Sequence, residues 1–297
     1  MPGTTYPPAP PTIDGQGRIT VEQFLKTPTR VQRTIADLTR ERYLAERIFG
    51  SGNAEGGAVI YDQLTGSDNL YTERDVQAIE PGSEFPITDV GELTPKVAAV
   101  SKWGGAGIVT YEAARRDNRD VLNRKLTRIR NTIVRKVDTV AIAALNAAPV
   151  NTSAGTDWSD VNTRDAVGDV AKAVNKIDNL DLGYVADSVL INPTQELELF
   201  LDKDLRDALP RENVTANPIS SGRINGLMGL TWYASNRVPV GTAYVLASTQ
   251  AGSLHDELPL YSRVVDQPER ERYLIQAARV TVPVVTDPLA VYKLTGL

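Results

Sequence analysis

"YEAARRDNRDVLNRKLTRIRNTIVRKVDTVAIAALNAA" occupies residues 111–148 and contains neither Gly nor Pro. Leu122, Leu126, Ile129, Ile133, Val137, Val140, Ala141, Ala144 and Leu145 recur at helical spacing. They therefore share one face of a 3.6-residue helix. Thr110 stands where a cap is needed, and Glu112 suits the positive end of the helix dipole. Pro149 ends the run. Unbroken, the helix would span about 55 Å, roughly twice the width of a small domain. The Asp117-Asn118-Arg119 patch is where a break is expected, leaving a continuous helix from about residue 119.

The flanking sequence has a different texture on each side. Residues 1–17 are rich in Pro and Gly and read as an extended arm. A helix is expected from Ile19 to Phe49, and "GSGNAEGG" at 50–57 reads as a hinge or flexible loop. From Ala58 to Lys96 the chain reads as strands and turns, with turn signals at 66–69 and at Pro81-Gly82. "VQAIE" and "LTPKVAAVSKW" are strand-like. Too few apolar residues repeat there to pack a core, so a two-stranded excursion lying against something else is expected.

Beyond the long helix an α/β unit is expected. "NTRDAVGDVAKAVNKIDNL" reads as a helix from Asn162 or Thr163, "VADSVLIN" as a buried strand, and "PTQELELFLDKDLRDAL" as a helix with Pro193 in its first turn. Two later stretches rich in Val, Tyr and Thr, 224–248 and 271–297, read as strands cut by turns.

Composition removes several kinds of chemistry. The 297 residues are 41% hydrophobic and 23% charged, a normal globular balance. With no Cys and a single His, at 255, thiolate zinc sites, cysteine nucleophiles and multi-His metal sites are excluded within one chain. The net charge of −5 argues against whole-chain nucleic-acid binding. No stretch approaches the ~20 apolar residues of a membrane span. The N-terminal residues carry no apolar signal core, so the expected place of synthesis and assembly is the cytoplasm.

The glycines at 50, 52 and 56 miss the dinucleotide-binding spacing by one residue, and strand-like rather than helical sequence follows them. No Gly-Lys-Ser/Thr exists in the chain. His255, beside Asp256 and Glu257, has no nucleophile motif nearby and reads as a surface or interface residue. No catalytic, cofactor-binding or metal-ligating residue is assigned, and the chain is not read as an enzyme.

Charge placement says more. Residues 111–148 hold nine Arg or Lys against four acids, a net of +5, whereas residues 50–96 hold nine acids against Arg74 and Lys96, a net of −7. The bland reading is two solvated faces. The sharper one is that acidic excursion and basic helix meet, within a subunit or between neighbours, with complementary potentials fixing register.

The order of these segments resembles that of the tailed-bacteriophage major capsid proteins with the Hong Kong 97-like fold. The pieces that carry the resemblance are "IEPGSEFP" at 79–86, "SKWGGAGIVTYEA" at 101–113 and "IRNTIVRKVDTVAIAAL" at 129–145. "INGLMGLTWYASNRVPVGTAYVLAS" at 224–248 and "ARVTVPVVTDPLAVYKL" at 278–294 complete the set. The resemblance implies an α+β chain. Its parts would be an N-terminal arm (1–49), an extended β-loop (50–95), a peripheral domain with a long spine helix (96–150 and 255–297) and an α/β axial domain (151–254).

It also implies contacts between subunits. They would run from loop acids Glu55, Asp62, Asp68, Glu73, Asp75, Glu80 and Glu84 to spine-helix bases Arg115, Arg116, Arg119, Arg124, Lys125 and Arg128. Implied partners are further copies, in pentamers and hexamers, with a separate scaffolding protein, a portal and a decoration protein. Packaged DNA would be met only indirectly, and the mature location would be the virion. The founding member of the fold joins its subunits by Lys–Asn isopeptide bonds through a loop Lys. Residues 50–95 contain no Lys and no Asn follows Asn236, so no such bond is expected. The arm is also too short to be that member's cleaved scaffolding segment. The alternatives are an encapsulin-type cellular shell, an α/β enzyme using 151–254, and a nucleoid-type basic-helix binder.

Overall fold

The structure is a computed structural model that describes residues 21–39, 43–64, 76–85, 95–116, 119–202, 205 and 227–297. In chain order its elements are α1 (Val21–Leu25), α2 (Pro28–Thr39), α3 (Ala45–Ile48), β1 (Gly50–Asn53), β2 (Ala58–Asp62), β3 (Pro95–Ala99) and β4 (Ser101–Thr110). There follow α4 (Tyr111–Arg115), α5 (Arg119–Ala147), β5 (Asn151–Ala154), α6 (Ala166–Asp178), β6 (Ser188–Ile191) and α7 (Pro193–Leu201). The last are β7 (Thr231–Ala234), β8 (Thr242–Leu246), β9 (Ser253–Gln267), β10 (Arg272–Val284) and β11 (Val291–Thr295). The fold is α+β. Two compact units divide it, the first from the described parts of Met1–Tyr43, Val100–Asp138 and Asp256–Thr281, the second from those of Leu44–Ala99, Thr139–His255 and Val282–Leu297.

In the first unit the helical face read from the sequence is the buried one: Leu122, Leu126, Ile129, Ile133 and Val137 of α5 are all buried. At 29 residues, α5 is about 43 Å long by the helical rise. The expected cap is present: Thr110 Oγ1 accepts from the Ala113 N–H at 3.4 Å. Helical structure ends at Arg115 and resumes at Arg119, around the polar patch flagged by sequence; residues 117–118 lie outside the described set. Antiparallel β10 and β4 pair from Arg272 with Thr110 to Thr281 with Ser101. Gly107 leaves room for α5, because a Cβ there would stand 3.0 Å from Ile129 Cδ1.

The second unit holds a five-stranded sheet in the order β5-β11-β8-β6-β7. Its central strands, "SVLI" (β6) and "TAYVL" (β8), are buried along their whole length. Continuous apolar runs rather than alternation follow from burial on both faces. Helix α6 packs on β11 and β8, with Ala166, Val170, Ala173 and Ile177 inward. Trp158, Val189, Ile191, Leu199, Trp232, Val245 and Leu294 close the same core. As expected, α7 opens on Pro193, and the Asn192 side chain caps it by accepting from the Thr194 N–H at 3.0 Å.

Several sequence expectations change. The helix foreseen over 19–49 is divided among α1, α2 and α3, and Pro28 begins α2 because it has no N–H to continue α1. Helix α6 begins at Ala166 rather than at 162–163, since Asp165 caps it by accepting from the Gly168 N–H at 2.9 Å. "VQAIE" forms no strand; Val76 to Glu80 are exposed and outside any sheet.

The Gly-rich stretch 50–57 is not a simple hinge. Gly50 to Asn53 form β1, in a sheet of order β1-β9-β10-β4. The Gly50 N–H donates to the Gly252 carbonyl at 2.9 Å, and a Cβ on Gly52 would fall 2.5 Å from the His255 ring. Those glycines serve close packing; only Gly56 and Gly57, with φ of 71° and 79°, supply a turn.

Candidate assembly surfaces

The excursion between β1 and β4 is a two-stranded sheet, β2 against β3, running from Ala58 opposite Ala99 to Asp62 opposite Pro95. The end of this ladder past Asp62 is fastened within the second unit. Buried Gln63 donates through Nε2 to the Val285 carbonyl at 2.7 Å, and its Oε1 accepts from Lys96 Nζ. The Leu64 N–H donates to the Thr286 carbonyl at 3.0 Å.

Apart from that attachment the hairpin buries little. Ile60 and Val97 are directly opposite one another, and 74% and 68% of them is exposed. Farther along, Phe85 is 82% exposed and Val76 89%. The Pro81-Gly82 turn forms as expected, with Gly82 at φ 92° and the Ser83 N–H donating to the Glu80 carbonyl at 3.0 Å. Four large apolar side chains left in water along this excursion are of the kind suited to contact with another molecule.

The acids assigned from sequence lie on this element. Glu55, Asp62, Glu80 and Glu84 are exposed, and Asp68, Glu73 and Asp75 fall outside the described residues. On the first unit, Arg115, Arg116, Arg124 and Arg128 are exposed. Lys125 is half-buried and donates to the Ile108 carbonyl, which ties it to its own sheet. Arg119 opens α5, and its side chain lies outside the described set. The acids therefore belong to one unit and the bases to the other.

The helix carrying Arg115 is held by an aromatic pair. The Tyr111 and Tyr273 rings sit 4.9 Å apart, and the Tyr111 hydroxyl donates to Asp266. That hydrogen bond, with desolvation and the nearby negative charge, pushes the Tyr111 hydroxyl up to about 12. Lys136 of α5 lies 4.4 Å from the centre of the Trp103 ring.

Sequence reasoning missed a further pair in the first unit. Arg279, 5% exposed, binds both carboxylate oxygens of Asp256, at 2.9 and 2.7 Å, and its guanidinium lies 4.8 Å from the centre of the Tyr43 ring. Fork-to-fork geometry of this kind fixes orientation as well as charge. No local motif announces it, because the partners are 23 residues apart.

His255 is occupied structurally. Its Nδ1–H donates to the Asn53 carbonyl at 3.0 Å, and Nε2 accepts from Ser253 Oγ at 2.7 Å. Among the described residues no group of three or more His, Asp or Glu is arranged to hold a metal ion, and no helix is long and apolar enough to cross a membrane.

Comparison with known proteins gives the architecture a family. A search of curated proteins returns no match. Among solved structures, a virus-like particle from Pyrococcus furiosus aligns over 90% of this chain and 98% of its own, with a TM-score of 0.63 and 11% identity. The capsid of cyanophage P-SCSP1u aligns over 85% and 88%, with a TM-score of 0.61 and 12% identity. The capsid of the Myoviridae phage XM1 aligns over 84% and 90%, with a TM-score of 0.54 and 13% identity. Likeness at that identity concerns the fold. The family profile described as "Phage capsid protein" matches residues 93–294, about two thirds of the sequence. Together with the spine helix, the exposed hairpin and the five-stranded sheet, that match places the chain in the phage capsid protein family, on the Hong Kong 97-like fold of tailed-phage major capsid proteins.

Proposed function

We propose that this chain is the building block of an icosahedral phage head. Copies form pentamers and hexamers that close around packaged double-stranded DNA. The carrying observation is the hairpin: an element that leaves Ile60, Val97 and Phe85 in water gains from burial only against another molecule. Its role is that of the extended loop (50–95), which reaches over an adjacent subunit. The other parts take the roles of N-terminal arm (1–49), peripheral domain (96–150 and 255–297) and axial domain (151–254). Loop acids and spine bases meet across the subunit boundary and set register.

A separate scaffolding protein, a portal and a decoration protein are the further partners, in a particle assembled in the host bacterial cytoplasm and retained in the virion. With no Lys in 50–95, the shell is held by non-covalent contacts. Many moderate contacts closed by symmetry suffice for a stable particle. The subunit works as structure, without catalysis. The family match to phage capsid proteins supports this head over the cellular cargo shell.

Negative-stain microscopy of the purified protein, alone and with its co-expressed scaffold, tests the reading. Closed polyhedral particles of uniform diameter are expected. A protein that stays strictly monomeric under both conditions overturns it.

A further inference from the structure

Within the second unit, the loop between β5 and α6 meets α7 in a corner rich in acids. Buried Trp158 of the loop shares a core with Leu199 of α7, and the Arg164 guanidinium meets Asp202 at 3.3 Å. Most of the acids there are matched by donors. Asp160 accepts from Asn162 and Thr163, Asp165 caps α6, and Asp169 accepts from Thr156, Trp158 and Lys172.

Two side chains of α7 are left over. Gln195 is 1% exposed, and its Oε1 accepts no hydrogen bond. Glu198 Oε2 is buried and equally without a donor. Residues three apart on a helix are neighbours on one face, so the two unmatched side chains lie together. Facing them, exposed Asp157 commits Oδ1 to the Ser159 N–H and hydroxyl, at 2.9 and 2.7 Å, and keeps Oδ2 for another partner. Desolvation, and then the Asp157 charge, raises the Glu198 carboxyl above its usual range.

A buried acceptor without a donor is costly, and a buried carboxylate more so. The corner therefore lacks positive charge. A proton on Glu198 would answer one acceptor and leave Asp157 as it is. A hard cation would answer all three. Calcium takes carboxylate and amide oxygens in a flexible shell that water completes, and the exposed loop gives it a way in. We propose that Asp157, Gln195 and Glu198 form a calcium site that ties this loop to α7. The site belongs to the single subunit and stands independently of the shell reading.

The full-length unassembled subunit, stripped with a chelator, is titrated with calcium chloride by calorimetry and unfolded in urea with and without the ion. One site with a Kd of about 10⁻⁴–10⁻³ M is expected, and magnesium, which dehydrates reluctantly, should bind more weakly. Calcium at about a hundred times Kd should raise the folding equilibrium constant roughly a hundredfold. Glu198→Gln and Asp157→Asn should each weaken calcium binding by at least about tenfold. Without calcium, Glu198→Gln should be no less stable than the unaltered chain, because it removes an uncompensated buried charge. Should that variant fail to fold, Asp157→Asn, at an exposed position, decides alone.

An unaltered subunit whose unfolding ignores calcium overturns the site, with Glu198 then carrying a proton instead. Calcium binding that survives Asp157→Asn and Glu198→Gln undiminished also overturns it, since the ion would then sit elsewhere on an acidic surface. Failure of the subunit to build particles bears on the shell reading and leaves these outcomes unchanged.

Discussion

The five-stranded sheet and the β2–β3 hairpin are both built from short β-rich sequence, and they treat apolar side chains in opposite ways. Every residue of β6 and β8 is buried, and helix α6 covers the sheet. In the hairpin, Ile60 and Val97 face each other across the strands and stay largely in water. The sheet unit completes its core within one polypeptide. The hairpin has no such core, and its apolar surface is an unspent driving force for association. On the function proposed above, stability and assembly are housed in different parts of the chain, and substitutions should separate them.

The largest effect is expected in the sheet unit's core. Trp158→Ala removes a side chain that is 1% exposed and should cost about 3–5 kcal/mol in urea unfolding of the unassembled subunit. A cost below about 1 kcal/mol would break the contrast, since the core would then be no more critical than the hairpin.

Next comes the polar anchor beneath Trp158. Burial pushes the Asp169 carboxyl up, but this is outweighed by hydrogen bonds from the Thr156 N–H and hydroxyl, both 2.7 Å, and from Trp158 and Lys172. Its net displacement is below the usual carboxylate range. A depressed carboxyl contributes stability that is fully present above its unfolded value, about 4, and lost as pH falls through its folded value. Asp169→Asn should cost about 1.5–3 kcal/mol at neutral pH. It should also flatten the fall in stability below pH ~4. An unchanged acid limb in the variant would remove Asp169 from this role.

A smaller effect is expected where the loop leaves β1. Gly52→Ala drives a methyl into the His255 ring and should cost about 1 kcal/mol or slightly more. A neutral result would show that the ring swings aside freely.

The smallest effect on the isolated subunit belongs to the hairpin. Phe85→Ala should leave unfolding within about 0.5 kcal/mol of the unaltered chain, as for other exposed positions. The same variant should still lose particles, as judged by microscopy and sedimentation. A Phe85→Ala subunit that unfolds much more easily, or assembles normally, would erase the division between the two regions.

Much of this was legible in sequence because helices are local. The spacing of Leu122, Leu126, Ile129, Ile133 and Val137 named the buried face of α5, and Thr110 and Pro193 marked helix starts that the structure keeps. Helix boundaries suffered where a single side chain intervened, as with Pro28 and Asp165. Acids and bases on the assembly surfaces could be counted from the sequence. The exposed Ile60–Val97 pair could not be seen there, because two residues 37 positions apart become neighbours only once the hairpin register is set.

The sequence by itself determined the rod, its apolar stripe, the helix caps, the tight turns and the opposite charges of loop and spine. Each depends on residues within a few positions of one another, where hydrogen bonding and side-chain spacing are settled along the chain. Tertiary structure alone decided that the closing strand β11 lies between β5 and β8, and that a glycine run becomes strand β1. It alone also decided that glycine and alanine face outward together on β4 and β10. A strand's hydrogen bonds go to remote segments, and its own residues do not name the partner.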